Sequence, residues 1–199
     1  MLGRRVIPWL WCGGLLVSGL LPDALTKLVE FNRTAINQGE FWRIVTSQWV
    51  HFGFNHSLMN GLCFAIVQFR LLKDLPLRRW LITQLVVQLG VGCGLYFTLG
   101  DGEIYRGYSG AFCGLLAFGL LWNLSRDTWF LAVVYAGLLL KIAVEQTPGY
   151  NLDYLKNVMD FSVAVDAHLF GVITGSLWAG VCRGLAWHAG RRPAAARSE

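Results

Sequence analysis

Long apolar runs separated by short polar segments constrain the fold of this chain more tightly than any motif in it. Mostly apolar runs of roughly 16 to 23 residues cover 6–21, 80–99, 108–124, 128–140 and beyond, and 163–182, near the length that a bilayer core requires of a helix. A further run, 52–69, begins polar and ends apolar. Of the 199 residues, 55% are hydrophobic and only 15% charged, with mean hydropathy +0.47. That leaves too little polar surface to cover a water-soluble globule. The expected fold is therefore an all-α membrane protein, a single bundle of six transmembrane helices over 1–190. Its approximate spans are 6–21, 52–69, 80–99, 108–124, 128–144 and 163–185, followed by a short basic cytoplasmic tail, "RRPAAARSE", at 191–199. Arg4 and Arg5 before a short apolar stretch also suit a signal peptide. No small-x-small cleavage site follows, so 6–21 is read as a first transmembrane helix.

The charges between spans set the orientation. Arg4, Arg5, Arg70, Lys73, Arg78, Arg79, Arg126, Arg183, Arg191, Arg192 and Arg197 fall on one side, which is cytoplasmic and carries both termini. Lys27, Arg33, Arg43, Arg106, Lys141 and Lys156 fall on the other, together with most acids, Glu145 and Asp166 among them. The net charge of +5 thus reflects topology and contact with anionic lipid head groups. Nothing in it suggests nucleic acid, because basic residues neither cluster nor interleave with aromatics. Five cysteines (Cys12, Cys63, Cys93, Cys113, Cys182) lie in apolar runs without a C-x-x-C and read as small packing residues. No metal or other cofactor is expected.

Two outer segments are long enough to be functional: 22–51, and about 145–162. The first mixes Phe31, Phe41, Trp42, Trp49, Phe52 and Phe54 with polar residues, which suits a segment lying in the membrane interface as well as an ordinary amphipathic surface stretch.

Polar groups within spans are costly, so each is a candidate functional residue. His56 and Asn60 open the second span, Ser109 opens the fourth and His168 lies early in the sixth. With a cytoplasmic amino terminus, the even-numbered spans all run from outside to inside, which puts these residues at one depth near the outer face. His56 and Asn60, four apart, share a helix face. Ala167, Gly171, Gly175 and Ala179 form a small-residue stripe on the sixth span, and Gly110 and Gly114 form one on the fourth. If the stripes meet, Ser109 and His168 come within hydrogen-bond reach. A serine hydroxyl is a weak nucleophile until a base takes its proton, and histidine is the usual base near neutral pH. Asp166 points elsewhere on its helix and no acid stands behind His168, so the pair reads as a dyad. The Asn60 amide, the His56 ring and the Ser109 backbone N–H could receive a developing oxyanion. Each residue also has a plainer reading. Ser109 suits helix packing or a back-bonded hydroxyl, and Gly-x-Ser-Gly lacks the final glycine and preceding strand of a nucleophile elbow. An intramembrane histidine can be a metal ligand, but no ligand-spaced thiol or carboxylate accompanies these. His51 and His188 suit interfacial positions, while Gln84 and Gln88 suit interhelical hydrogen bonds.

In order, "FWR" at 41–43, "HFGFNHSLMN" at 51–60, "GYSG" at 107–110 and "AHLFG" at 167–171 resemble the rhomboid intramembrane serine proteases. The resemblance covers nearly the whole chain, and the ordered set is far more specific than any one part. It implies a six-helix rhomboid-like bundle with Ser109 as nucleophile, His168 as general base, and His56 and Asn60 binding the oxyanion. It also implies a membrane-embedded first outer loop containing Trp42 and Arg43, with His51, Gly107 and Gly110 in support. Cys113 departs from the pattern, since many rhomboids place a tyrosine there against the histidine. The compact core, "KIAVEQTPG" at 141–149 and "VAVDAHLFG" at 163–171 look most like the rhombosortase branch. That branch implies exported, membrane-anchored protein substrates with a C-terminal tail of Gly-Gly, a hydrophobic helix and basic residues. It also implies cleavage near the outer face of a bacterial inner membrane, with hydrolysis and transfer to an amine both open. A general rhomboid protease of single-span substrates is the alternative. Two further classes are a catalytically inactive rhomboid-like binding protein, which normally lacks the serine or histidine, and a small transporter, which would show broken helices or repeats.

Overall fold

The computed structural model describes residues 3–125, 128–150 and 164–190. The expected tail 191–199, residues 151–162 of the second long outer segment, Val163 and Arg126 lie outside the described residues. Long helices occupy all six apolar segments: α1 (Gly3–Ser18), α5 (Phe54–Val67), α6 (Leu77–Thr98), α7 (Ser109–Asn123), α8 (Trp129–Glu145) and α9 (Val165–His188). Two of them, α6 and α9, are long and apolar enough to cross a membrane by length and composition. Between α1 and α5 the chain makes three short helices, α2 (Asp23–Thr26), α3 (Arg33–Asn37) and α4 (Arg43–Thr46). Asn32 caps α3 by accepting from the Ala35 N–H at 2.9 Å. The hydropathy pattern does not foresee a small antiparallel ribbon, β1 (Phe31–Asn32) with β2 (Ile104–Tyr105). This ribbon ties the segment between α1 and α5 to the connection that leads into α7.

α7 stands at the centre, its face of Ala111, Leu115 and Phe118 buried with Leu15, Phe64, Val87 and Ala179 from its neighbours. Its most extensive contact is with α9, and there the two small-residue stripes do meet. A Cβ built on Gly171 would lie 2.0 Å from the Gly110 carbonyl oxygen, and one on Gly175 2.0 Å from that of Gly114. From the opposite side, a Cβ on Gly110 would come 2.8 Å from the Ala167 carbonyl. Backbone therefore touches backbone over two turns, which only residues without a side chain permit. At the far end, Arg183 of α9 donates to the Leu121, Trp122 and Leu124 carbonyls at 2.7, 3.3 and 2.9 Å. It satisfies acceptors that the end of α7 leaves open.

Polar side chains crosslink the rest of the bundle. Tyr108 donates to Gln84 Oε1 and accepts from Trp11 Nε1. Gln88 Oε1 accepts from Trp49 Nε1 at 2.9 Å, and its carbonyl accepts from Gln48 Nε2 at 2.7 Å. Gln84 and Gln88 thus join α6 to the segments around it, as their positions in an apolar run suggest.

Replacing Gly171 by alanine is expected to force α7 and α9 apart at a backbone contact, lowering stability by about 1–3 kcal/mol, as overpacking does. Gly180, whose added Cβ would meet nothing within 4 Å, should accept alanine without loss. Thermal unfolding midpoints in detergent check both, and a Gly171→Ala protein as stable as Gly180→Ala would contradict the contact.

Candidate functional site

The first turns of α5, α7 and α9 converge beside the loop 105–108. His56 and Asn60, one turn apart on α5, are both buried. Gly107 lies across them with φ +131°, and a Cβ there would sit 2.6 Å from His56 Cε1 and 3.7 Å from Asn60 Nδ2. Any other residue would be strained in that conformation and would collide with the imidazole. The loop is held on both sides, because the Gly107 N–H donates to the Ser47 carbonyl at 3.1 Å and its carbonyl accepts from the Tyr105 hydroxyl at 2.7 Å. α7 begins at Ser109, so the Ser109 N–H belongs to the first turn, whose donors have no acceptor within the helix. The Asn60 Nδ2 amide, on a residue only 4% exposed, makes no hydrogen bond among the described residues. A buried, unpaired donor beside a helix amino terminus can receive negative charge.

His168 is the fourth residue of α9, immediately after the Ala167 that touches Gly110, so Ser109 and His168 sit at the same level of two helices in backbone contact. Among the described residues no hydrogen bond joins their side chains. The Tyr105 hydroxyl, which donates to the Gly107 carbonyl, belongs to the same turn that leads into Ser109. Burial pushes the Tyr105 phenol well above its usual range, an effect that hydrogen bonds with Gly110 and Ser109 offset in part. Tyr105 therefore stays a neutral phenol.

Behind His168 stands an acid, which corrects the expectation of a dyad with none. Glu145, the last residue of α8, places Oε1 and Oε2 at 3.2 and 3.1 Å from His168 Nδ1. The reason for the miss is geometric: Glu145 lies 23 positions from His168 and counts in the sequence as one of several outer acids. Its place at the end of an apolar run was the available signal. His51 is also corrected, from interfacial to buried. Its Nδ1 pairs with the Ser18 hydroxyl at 2.8 Å, and its ring meets that of His56 edge to face at 4.9 Å. His188 is exposed at the end of α9.

Two arginines fold the segment between α1 and α5. Buried Arg43 pairs with Glu40 at 2.6 Å and donates to the Lys27 and Glu30 carbonyls at 2.8 and 2.9 Å. Neighbouring Trp42 is 53% exposed. Arg106, in the connection into α7, pairs with Glu30 at 2.6 Å and Asp23 at 2.8 Å. Hydrogen bonds from Lys27 and then Arg106 hold the Asp23 carboxyl at about 2. Together with the β1–β2 ribbon, Arg106 fixes the segment between α1 and α5 to the residues just before Ser109.

The Rhomboid domain model matches residues 38–184. The chain belongs to the rhomboid family. RHOMBOID-like protein 5 of Arabidopsis thaliana is 35% identical over 95 residues, 46% of this chain and 30% of the length of that protein. Putative rhomboid protease YdcA of Bacillus subtilis (strain 168) is 24% identical over 147 residues, 74% of this chain and 70% of its own. The family is one of integral membrane proteins, which accounts for the exposed leucines, valines and tryptophans that line α1, α6, α8 and α9. The rhomboid match spans α5 to α9 and includes every residue of the converging first turns.

Arg106→Ala would leave the buried Glu30 carboxylate without its partner and is expected to cost about 3–5 kcal/mol. Lys27→Ala, at the exposed Lys27–Asp23 pair, should leave the unfolding midpoint unchanged. Equal midpoints for the two variants would contradict the clamp.

Proposed function

We propose that this rhomboid is an intramembrane serine endopeptidase with Ser109 as nucleophile and His168 as general base. The observation that carries the reading is the meeting of the first turns of α5, α7 and α9. It puts a hydroxyl at a helix amino terminus, an imidazole on a helix in backbone contact and an unpaired buried amide in one layer. Six transmembrane spans with both termini cytoplasmic would set that layer near the outer face of a bacterial inner membrane, with the first outer loop embedded beside it. Substrate entry brings the Ser109 hydroxyl to His168, a catalytic hydrogen bond of the kind that forms only in the bound complex. His168 Nε2 takes the proton as Ser109 Oγ bonds to the scissile carbonyl carbon. The Asn60 amide, the His56 ring and the Ser109 N–H receive the oxyanion. The proton then passes to the leaving nitrogen as the C–N bond breaks, and water or an amine, activated in the same way, releases the acyl group.

The substrates proposed are membrane-anchored proteins, in the narrower rhombosortase-like reading exported proteins with a C-terminal Gly-Gly, hydrophobic and basic tail. Motif likeness at 141–149 and 163–171 supports that reading, and it leaves acyl transfer to an amine open. A general rhomboid protease of single-span substrates is the second reading, favoured by the name of the Bacillus relative, a putative rhomboid protease. An inactive binding protein has no use for both Ser109 and His168.

Co-expression with two reporters, one bearing the Gly-Gly tail and one an ordinary transmembrane span, tests these readings. Ser109→Ala and His168→Ala should abolish release, and Asn60→Ala should lower kcat by about 10²–10³-fold, the effect of removing one oxyanion donor. Release that persists in Ser109→Ala overturns the protease reading. Cleavage of only the ordinary span replaces the narrower substrate with the general one.

A further inference from the structure

We propose that Glu145 is the positioning residue of His168, making a Ser109–His168–Glu145 triad in place of a dyad. This rests on the reading of Ser109 as nucleophile and His168 as base. Both Glu145 oxygens lie within 3.2 Å of His168 Nδ1, and the two side chains are 3% and 8% exposed. A carboxylate so deeply buried is tolerated only with partners that compensate its charge. Lys141, one turn earlier on α8, supplies one by reaching Oε1 at 2.5 Å. Lys141 is itself half exposed, and a pair made only to support α8 would leave the carboxylate at the surface beside it. Glu145 instead turns inward, across the contact between α8 and α9, to a nitrogen of one imidazole.

An acceptor at Nδ1 selects the tautomer that carries hydrogen there and frees the Nε2 lone pair. That is the nitrogen required to take the Ser109 proton. Once it has done so, His168 is an imidazolium, and the carboxylate at Nδ1 stabilises the charge without becoming protonated. In the acylation step one Oγ–C bond forms, one C–N bond breaks, and a single proton moves from Oγ through Nε2 to the leaving nitrogen. Glu145 neither gains nor loses one. Cys113 makes an apolar contact with Ile142 of α8 and Val172 of α9 and has no ring to hold the imidazole, so orientation falls to the carboxylate. Two further titratable groups bear on His168: His56 from α5 and, through Glu145, Lys141.

The full chain in detergent, with purified reporter, gives the test. Glu145→Gln keeps the shape and removes the charge, and kcat is expected to fall at least about 10-fold and up to about 10⁴-fold with KM within about two-fold. The unfolding midpoint should stay near wild type, and Lys141→Ala should lose much less activity. NMR of the ¹⁵N-histidine-labelled Ser109→Ala protein, which needs no activity, should find hydrogen on His168 Nδ1. Wild-type kcat in Glu145→Gln while Ser109→Ala and His168→Ala are inactive would overturn the triad and leave the protease reading standing. Hydrogen on His168 Nε2 in the labelled protein would also overturn it. So would equal losses of activity and stability in Glu145→Gln and Lys141→Ala, which would assign Glu145 to the helix pair. Continued release by Ser109→Ala would instead remove the protease reading on which the triad depends.

Discussion

Backbone contact between α7 and α9 is the constraint on which the other features of the site depend. A methyl group at Gly171 or Gly175 would meet a carbonyl oxygen at 2.0 Å, so this approach exists only because the two helices present bare backbone to each other. Apolar burial provides little selectivity for such a pairing in lipid, where the surroundings are as apolar as the contact. Close packing of small residues provides it instead. The consequence is positional: with Gly110 against Ala167, the residues beside them, Ser109 and His168, are held at one level by the same contact that holds the helices. Arg183 fastens the other end of the pair by closing the carbonyls of α7.

Around that axis the polar groups divide into two kinds. Some, such as the Trp11–Tyr108–Gln84 and Gln88–Trp49 links, join one helix or segment to another. The Asn60 amide is different, since it is buried without a partner beside the loop that carries Gly107. Leaving a donor unpaired in a dry site costs roughly 1–3 kcal/mol, a cost that the oxyanion role proposed for Asn60 would return in the transition state. The carboxylate of Glu145 and the pair of Arg106 with Glu30 are satisfied charges of the first kind. One meets the imidazole of His168, and the other anchors the segment between α1 and α5 to the turn before Ser109.

Hydropathy placed all six long helices within a few residues, because a run of apolar residues near bilayer length has few other uses. Spacing was enough to pair Gly110 and Gly114 with Ala167, Gly171 and Gly175, and so to set Ser109 and His168, 59 positions apart, at one level of two packed helices. What sequence reading could not supply was the identity of neighbours brought in by tertiary packing from polar ends of helices. Glu145 belongs to that group, as do Tyr105, whose hydroxyl holds the Gly107 carbonyl, and Ser18 holding His51. Each sits at the junction of a helix and a connection, where an acid, a tyrosine or a serine is ordinary in composition and has no period to mark it. The β1–β2 ribbon escaped for the same reason, since two residues on each side carry no alternation.

Covalent labelling of Ser109 is the most direct measure of whether this layer is a catalytic site. A fluorophosphonate probe, applied to the protein in membranes and located by mass spectrometry, should modify Ser109 and no other serine, and His168→Ala should abolish the modification. A protein that cleaves its reporter with Ser109 unmodified, or a label that survives Ser109→Ala, would contradict it.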